Sequence, residues 1–154
     1  LFCPLSGSCR ALSEGKVQQL PVKQHRTKTT NRYFNYIYVR MGAHTLIHKR
    51  TEDDIWKNLF ELPLVETEKD LSEEEFLACP QFHALFAEGE VRMVRILLRG
   101  VKHVLSHRVI YTNFYEVTLP DNSSSFSSYQ RVAVEDLGRY AVPRLIHAFL
   151  EKYV

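Results

Sequence analysis

Ser106 and His107 stand side by side between two runs that are otherwise apolar and basic. A hydroxyl donates and accepts at once, and a neutral imidazole carries one donor and one acceptor. Such a pair can read a hydrogen-bonding edge as well as a charge. From Val91 to Ile110 the chain carries Arg92, Arg95, Arg99, Lys102 and Arg108, with His103 and His107, and no acid. That distribution describes a surface turned toward an anion, with a solvated face as the plainer alternative. Two further groups could do chemistry. Cys3 and Cys9 are separated by five residues, and two thiolates are half of a four-ligand zinc or iron–sulfur site. A zinc site that adds His25 fits no common ligand spacing, and two incidental cysteines is the other reading. Cys79 lies far off, and three cysteines make no closed disulfide set, which points to a reducing compartment. Finally, Glu73, Glu74 and Glu75 are consecutive, so on a helix they fan over about 200° and cannot all face one metal ion.

The elements that must position these groups follow from periodicity. After the Ser-His pair, Val109, Tyr111, Tyr115, Val117 and Leu119 alternate with mostly polar residues, the pattern of a half-buried strand. Before it, Val94, Ile96 and Leu98 interleave with arginines, again strand-like. The pair therefore sits at a junction of two strands, where side chains reach outward. Tyr33–Val39 is rich in aromatic and β-branched residues and reads as a strand, Met41-Gly42-Ala43 as its turn and Thr45–His48 as the return. In Trp56–Pro63, Trp56, Leu59, Phe60 and Leu62 belong in a core, while Glu61 is expected to be exposed or capping. Ser72 with Glu75 three residues on forms a capping box, and Pro80 limits the helix it opens. Gln81–Phe86 fits helix or strand. Pro120–Ser128 reads as a polar loop, Tyr129–Val132 as a short strand and Val134–Leu137 as one helical turn. Pro143 is placed at the first position of a last helix whose Leu145, Ile146, Phe149 and Leu150 face a sheet. Tyr111, Phe114 and Tyr115 are expected in core or sheet surface rather than as stacking platforms.

At 154 residues the chain can hold one well-buried domain and an appendage. Its hydrophobic fraction of 45% and charged fraction of 25% are those of an ordinary globular protein, which sets aside disorder as the main state. No apolar run reaches the roughly 18–20 residues of a membrane span, and Leu1-Phe2-Cys3-Pro4 opens no signal peptide. The absence of an initiating Met is expected of a piece of a longer protein. From Glu14 to Arg32 the cations Lys16, Lys23, Arg26, Lys28 and Arg32 and His25 oppose Glu14 alone. This segment reads as an extended basic linker, suited to phosphate contacts or simply solvated. Glu52–Glu75 holds ten acids against Lys57 and Lys69, so the charge is strongly segregated.

These segments, in this order, resemble the recognition domain of MutY-type adenine DNA glycosylases of bacteria. Leu105-Ser106-His107 is similar to that family's Phe-Ser-His loop, with Leu105 in place of Phe. Trp56–Pro63 resembles the W-x-x-L-[FW]-E-[FL]-P signature of Nudix-like folds. The closing order, an aromatic strand, an E-D-L turn at Glu135-Asp136-Leu137, then Tyr140-Ala141-Val142-Pro143 and an amphipathic helix, is also the family's. Cys3 and Cys9 match the last C-x5-C of its four cluster cysteines. The resemblance implies an α+β, Nudix-like mixed sheet packed against helices, with an extended amino-terminal arm. It divides the chain into a cluster-loop remnant (1–13), a linker (14–32) and a lesion-recognition domain (33–154). It implies base-excision repair: this domain recognises 8-oxoguanine opposite adenine through Leu105, Ser106 and His107, while a separate glycosylase domain hydrolyses the adenine N-glycosidic bond. Lys23, Arg26, Lys28, Arg32, Lys102 and Arg108 would contact the DNA backbone. Cys3 and Cys9 would be two of four [4Fe–4S] ligands in the whole enzyme, and this piece alone is expected to bind no cluster. The implied setting is a monomer in the bacterial cytoplasm, at the nucleoid, with double-stranded DNA and the glycosylase domain as partners. No residue in this chain is expected to be catalytic. Two alternatives stay open: a catalytically inactive Nudix-like domain that binds a nucleotide or a protein, and an atypical pyrophosphohydrolase. Against the second, LVETEKDLSEEEFLACPQF after Pro63 lacks the Gly, the Arg and the R-E-x-x-E-E of the Nudix box.

Overall fold

Seven strands and four short α-helices make up the computed structural model, which describes residues 3–20, 22 and 29–154. Strands β1 (Thr30–Arg40), β4 (Leu64–Thr67), β5 (Met93–Val104) and β6 (Arg108–Thr118) form a mixed sheet in the order β4-β1-β6-β5. Within it β1 and β6 run parallel, and β4 and β5 pair antiparallel at the edges. A second sheet, β3-β2-β7, is built from β2 (His44–Lys49), β3 (Phe60–Glu61) and β7 (Gln130–Ala133).

The central strands carry two cores. Phe34, Tyr36, Ile110 and Phe114 face helix α4 (Arg144–Tyr153) and its Leu145, Ile146 and Phe149. Ile37, Val39, Tyr115 and Val117 face α2 (Glu73–Leu77) and α3 (Pro80–His83) through Phe76 and Phe82. Aromatic stacking marks both faces: the Phe114 and Phe149 rings lie 4.1 Å apart, and Tyr115 and Phe76 lie 4.4 Å apart. β6 is therefore buried on both sides from Ile110 to Val117 apart from Tyr111, which corrects the half-buried reading. A strand pairing in parallel and covered by helices on both faces has no solvent side. Its Asn113 is matched across the sheet. Asn113 donates to the Asn35 side chain at 3.0 Å and accepts the Gly100 backbone N–H at 2.9 Å. Gly100, at φ +68°, is the residue that lets β5 bulge there.

Other elements fall near their expected places. The Ser72–Glu75 capping box is formed in both directions. Residues 81–86 continue from α3, with Pro80 at its first turn. Pro143 is the N-cap of α4, one position before the expected one. The arm is less extended than its composition suggested, because residues 6–8, α1 (Arg10–Ser13) and residues 17–19 form short helical turns. β1 begins at Thr30, so Arg32 belongs to the sheet and not to the linker. No helix among the described residues is long and apolar enough to cross a membrane.

Candidate nucleic-acid interface

β5 and β6 form a hairpin, and Leu105, Ser106 and His107 are its tip. The Leu105 N–H donates to the Arg108 carbonyl at 2.8 Å, and the Thr30 N–H donates to the His107 carbonyl at 3.2 Å. The tip is thus fastened to the start of β1, where the arm joins the sheet. Ser106 and His107 are exposed, and neither side chain is hydrogen-bonded within the described residues. Leu105 is half-buried and packs against the core, so it anchors the tip from below. Together with Arg108 these residues wall a concavity of about 530 Å³ whose other side is Asp53, Asp54 and Ile55.

The cations near the tip are not all free. Arg108 and Arg32 both donate to Asp54, and Arg32 also forks onto Glu66 through Nε and Nη2 at 2.6 Å each. Its hydrogen bonds to the Glu66 carboxylate hold the Arg32 guanidinium even more firmly charged than usual. Burial alone would push the Asp54 carboxyl up, but donation from Arg32, the Ile55 N–H and Arg108 brings it well below the usual carboxylate range. Arg32 and Arg108 therefore present neutralised guanidiniums at this spot. Lys102, by contrast, is exposed on β5 and makes no ion pair among the described residues. Arg92 is likewise exposed, whereas Arg95 reaches the buried Glu116 and Arg99 the Leu71 carbonyl. The cationic character lies along the β5 edge, and the tip itself is electrically mixed. Lys23, Arg26 and Lys28 lie outside the described residues. Cys3 is exposed and Cys9 half-buried, and both are free thiols, as is Cys79.

Glu61 overturns its expectation. It is only 2% exposed and accepts from Arg50 Nη1 at 2.8 Å and from the Tyr36 hydroxyl at 2.9 Å, with His48 Nε2 at 3.3 Å. Burial, followed by the Glu61 charge, pushes the Tyr36 hydroxyl well up. Arg50 then continues to Asp54 through Nη2 at 3.0 Å. Sequence reasoning missed this chain of ion pairs. Its signal was a lone Glu inside the apolar run Leu59-Phe60-Glu61-Leu62-Pro63, a position where a charge survives only if paired.

An α+β sheet sandwiched by helices, with Trp56–Pro63 lodged against its core, defines the class of protein, and comparison gives the family. Residues 35–152 match the family model described as NUDIX domain, and the chain belongs to that family. No curated protein matches the sequence. Among solved structures, the C-terminal domain of mouse MUTYH, in complex with human PCNA, is similar at TM-score 0.58 and 15% identity. That match covers 79% of this chain and 86% of that one. The MutT protein of Methanosarcina mazei Go1 is similar at TM-score 0.52 and 18% identity, over 80% of this chain and 93% of that one. MutT from Aliivibrio salmonicida and Vibrio cholerae gives TM-score 0.54 at 15% identity, over 79% and 95%. At these identities the likeness is one of fold.

Proposed function

We propose that this NUDIX-family domain is the lesion-recognition module of an adenine DNA glycosylase, reading 8-oxoguanine opposite adenine through Ser106 and His107. The observation that carries the reading is the tip itself: two exposed side chains with unengaged hydrogen-bonding groups, held on a rigid hairpin beside a concavity. Oxidation at C8 converts guanine N7 from an acceptor to an N–H donor and adds a carbonyl oxygen. The Ser106 hydroxyl accepts from N7–H and donates to O8, and intact guanine offers neither partner. His107 supplies the second contact, to the base edge or its exocyclic amine. Lys102, with the arm's Lys23, Arg26 and Lys28, adds backbone affinity. Hydrolysis of the adenine bond, and any [4Fe–4S] cluster held in part by Cys3 and Cys9, belong to a glycosylase domain elsewhere in the protein.

The donor set favours binding over pyrophosphate hydrolysis. Glu75 is committed to the Ser72 cap and to Lys69, and α2 is only five residues long. Among the described residues no three His, Cys, Asp or Glu side chains are grouped to hold a metal ion. Fluorescence anisotropy on duplexes bearing 8-oxoguanine or guanine opposite adenine tests the proposal. The chain should prefer the lesion by about tenfold, and Ser106→Ala with His107→Ala should abolish the preference. A double variant that keeps the preference refutes the assignment of the tip.

A further inference from the structure

Three arginines from three strands or strand ends converge on one carboxylate. Asp54 accepts from Arg32 Nη1 at 2.6 Å and Arg50 Nη2 at 3.0 Å on Oδ2, and from Arg108 on Oδ1. Arg32 is further fixed by Glu66, and Arg50 by Glu61 and by the Ile55 carbonyl at 3.0 Å. Arg108 directly follows the tip and has no other acidic partner among the described residues. The side chains are 6–36% exposed apart from Glu66 and the buried Glu61, so solvent weakens these pairs less than surface ones. The segment that carries Asp54 is itself held in an unusual shape. Trp56 and Asn58 lie at φ 60° and 70°, a region costly for residues with a Cβ. Arg50 closes the segment, accepting from Asn58 N at 2.8 Å and donating to the Leu59 carbonyl at 2.9 Å. A strained loop kept in place to deliver one carboxylate under a hairpin points to a purpose at that hairpin.

We propose that Asp54 is a positioning residue for the recognition tip: through Arg108 it locks Leu105–His107 to the rigid Arg32–Arg50–Glu61 scaffold, and by the same bonds it masks two cations that would otherwise attract any phosphate. The proposal rests on the reading of Ser106 and His107 given above. It follows from two requirements of selective readout. Hydrogen-bonding groups that discriminate by geometry must be held within about 0.5 Å of their place. A nonspecific cation beside them raises affinity for lesion and intact duplex alike and dilutes the difference. Three guanidiniums (Arg32, Arg50, Arg108) against three carboxylates (Asp54, Glu61, Glu66) leave the ground beneath the tip neutral.

The test uses the 154-residue chain, Asp54→Asn, and Arg108→Met, which cuts only the link to the tip and covers the case that the first variant folds poorly. Hydrogen exchange is read at the Leu105 amide, and anisotropy on lesion and intact duplexes at two salt concentrations. In both variants the Leu105 amide should lose about tenfold of its protection while amides of Tyr36 and Phe114 keep theirs. In Asp54→Asn, affinity for intact duplex should rise and become more salt-dependent while the lesion-to-intact ratio falls about five- to tenfold. A purely structural role would lower both affinities together. Unchanged Leu105 protection overturns the proposal. So does a loosened tip with the ratio intact. Ser106→Ala/His107→Ala in parallel then shows where the failure lies: with Asp54 alone if that variant abolishes the ratio, with the reading of the tip if it does not.

Discussion

Replacing Glu61 by Leu is the sharpest perturbation of the buried ion chain. The carboxylate is 2% exposed and holds Arg50, whose own side chain is 6% exposed, and the Tyr36 hydroxyl. The substitution leaves the Tyr36 hydroxyl without its acceptor and leaves the buried Arg50 guanidinium with only Asp54 and the Ile55 carbonyl. Breaking one side of a buried pair in this way costs about 3–5 kcal/mol. Glu61→Gln keeps the shape and one acceptor oxygen, and should cost about 1.5–3 kcal/mol. Urea titration reports it directly, because Trp56 is the sole tryptophan and its indole lies edge-on to Phe34 at 6.1 Å. With a urea dependence of about 1–3 kcal/mol per molar, the Leu variant should move the midpoint by more than about 1 M. Adding Arg50→Met to Glu61→Leu should recover at least about 1 kcal/mol relative to the sum of the single changes. A Leu variant less than about 1 kcal/mol below the parent, with no coupling to Arg50, would refute the view that this pair holds β2, β3 and the Asp54 loop together.

Acid should unfold the domain in a defined window. Asp54 and Glu90 titrate below their ordinary range when folded, Glu90 at about 2 because Ser123, Ser124 and Ser125 all donate to it. Folded protein then binds fewer protons than unfolded, so their contribution is whole above about pH 4.5, declines as pH falls and is fully lost only below about pH 2; stability flat from pH 5 to 2 by circular dichroism would contradict this. Ser72→Ala removes one half of a capping box and should cost about 1 kcal/mol in the same urea assay. Lys102→Gln should weaken binding to lesion and intact duplex equally and flatten the log–log salt slope by about 1, whereas a change confined to the lesion would assign Lys102 to the base.

How much was legible in the sequence depended on whether a residue's role was local. The strands around Tyr33–Val39 and Val109–Leu119, the Ser72–Glu75 box, the closing helix and the tip at Ser106-His107 all rest on near-neighbour patterns, and they stand where periodicity put them. Residues whose state is set by distant partners were not legible in this way. Glu61 is charged and was expected outside, yet Arg50 and Tyr36 come to it from two other strands. Arg32 and Arg108 looked like phosphate ligands on a basic stretch, and only the parallel pairing of β1 with β6 brings both to Asp54. The double burial of β6 was hidden for a similar reason: its polar Thr112, Asn113 and Glu116 mimic a solvent face. Asn113 is matched to its register partner Asn35, and Glu116 to Arg95, which no one-strand pattern reveals. The arm's short turns carry no buried residue, and nothing in their hydrophobic spacing announced them.

Mapping the bound surface at single-residue resolution tests the central claim most directly. The chain, isotopically labelled, would be titrated with a duplex holding one 8-oxoguanine opposite adenine and, separately, with its intact counterpart. The account predicts that amides of Leu105, Ser106, His107 and Arg108 shift most, and shift differently for the two duplexes. Shifts shared equally by both duplexes, or centred on the apolar cleft between Leu137 and Leu150, would contradict it.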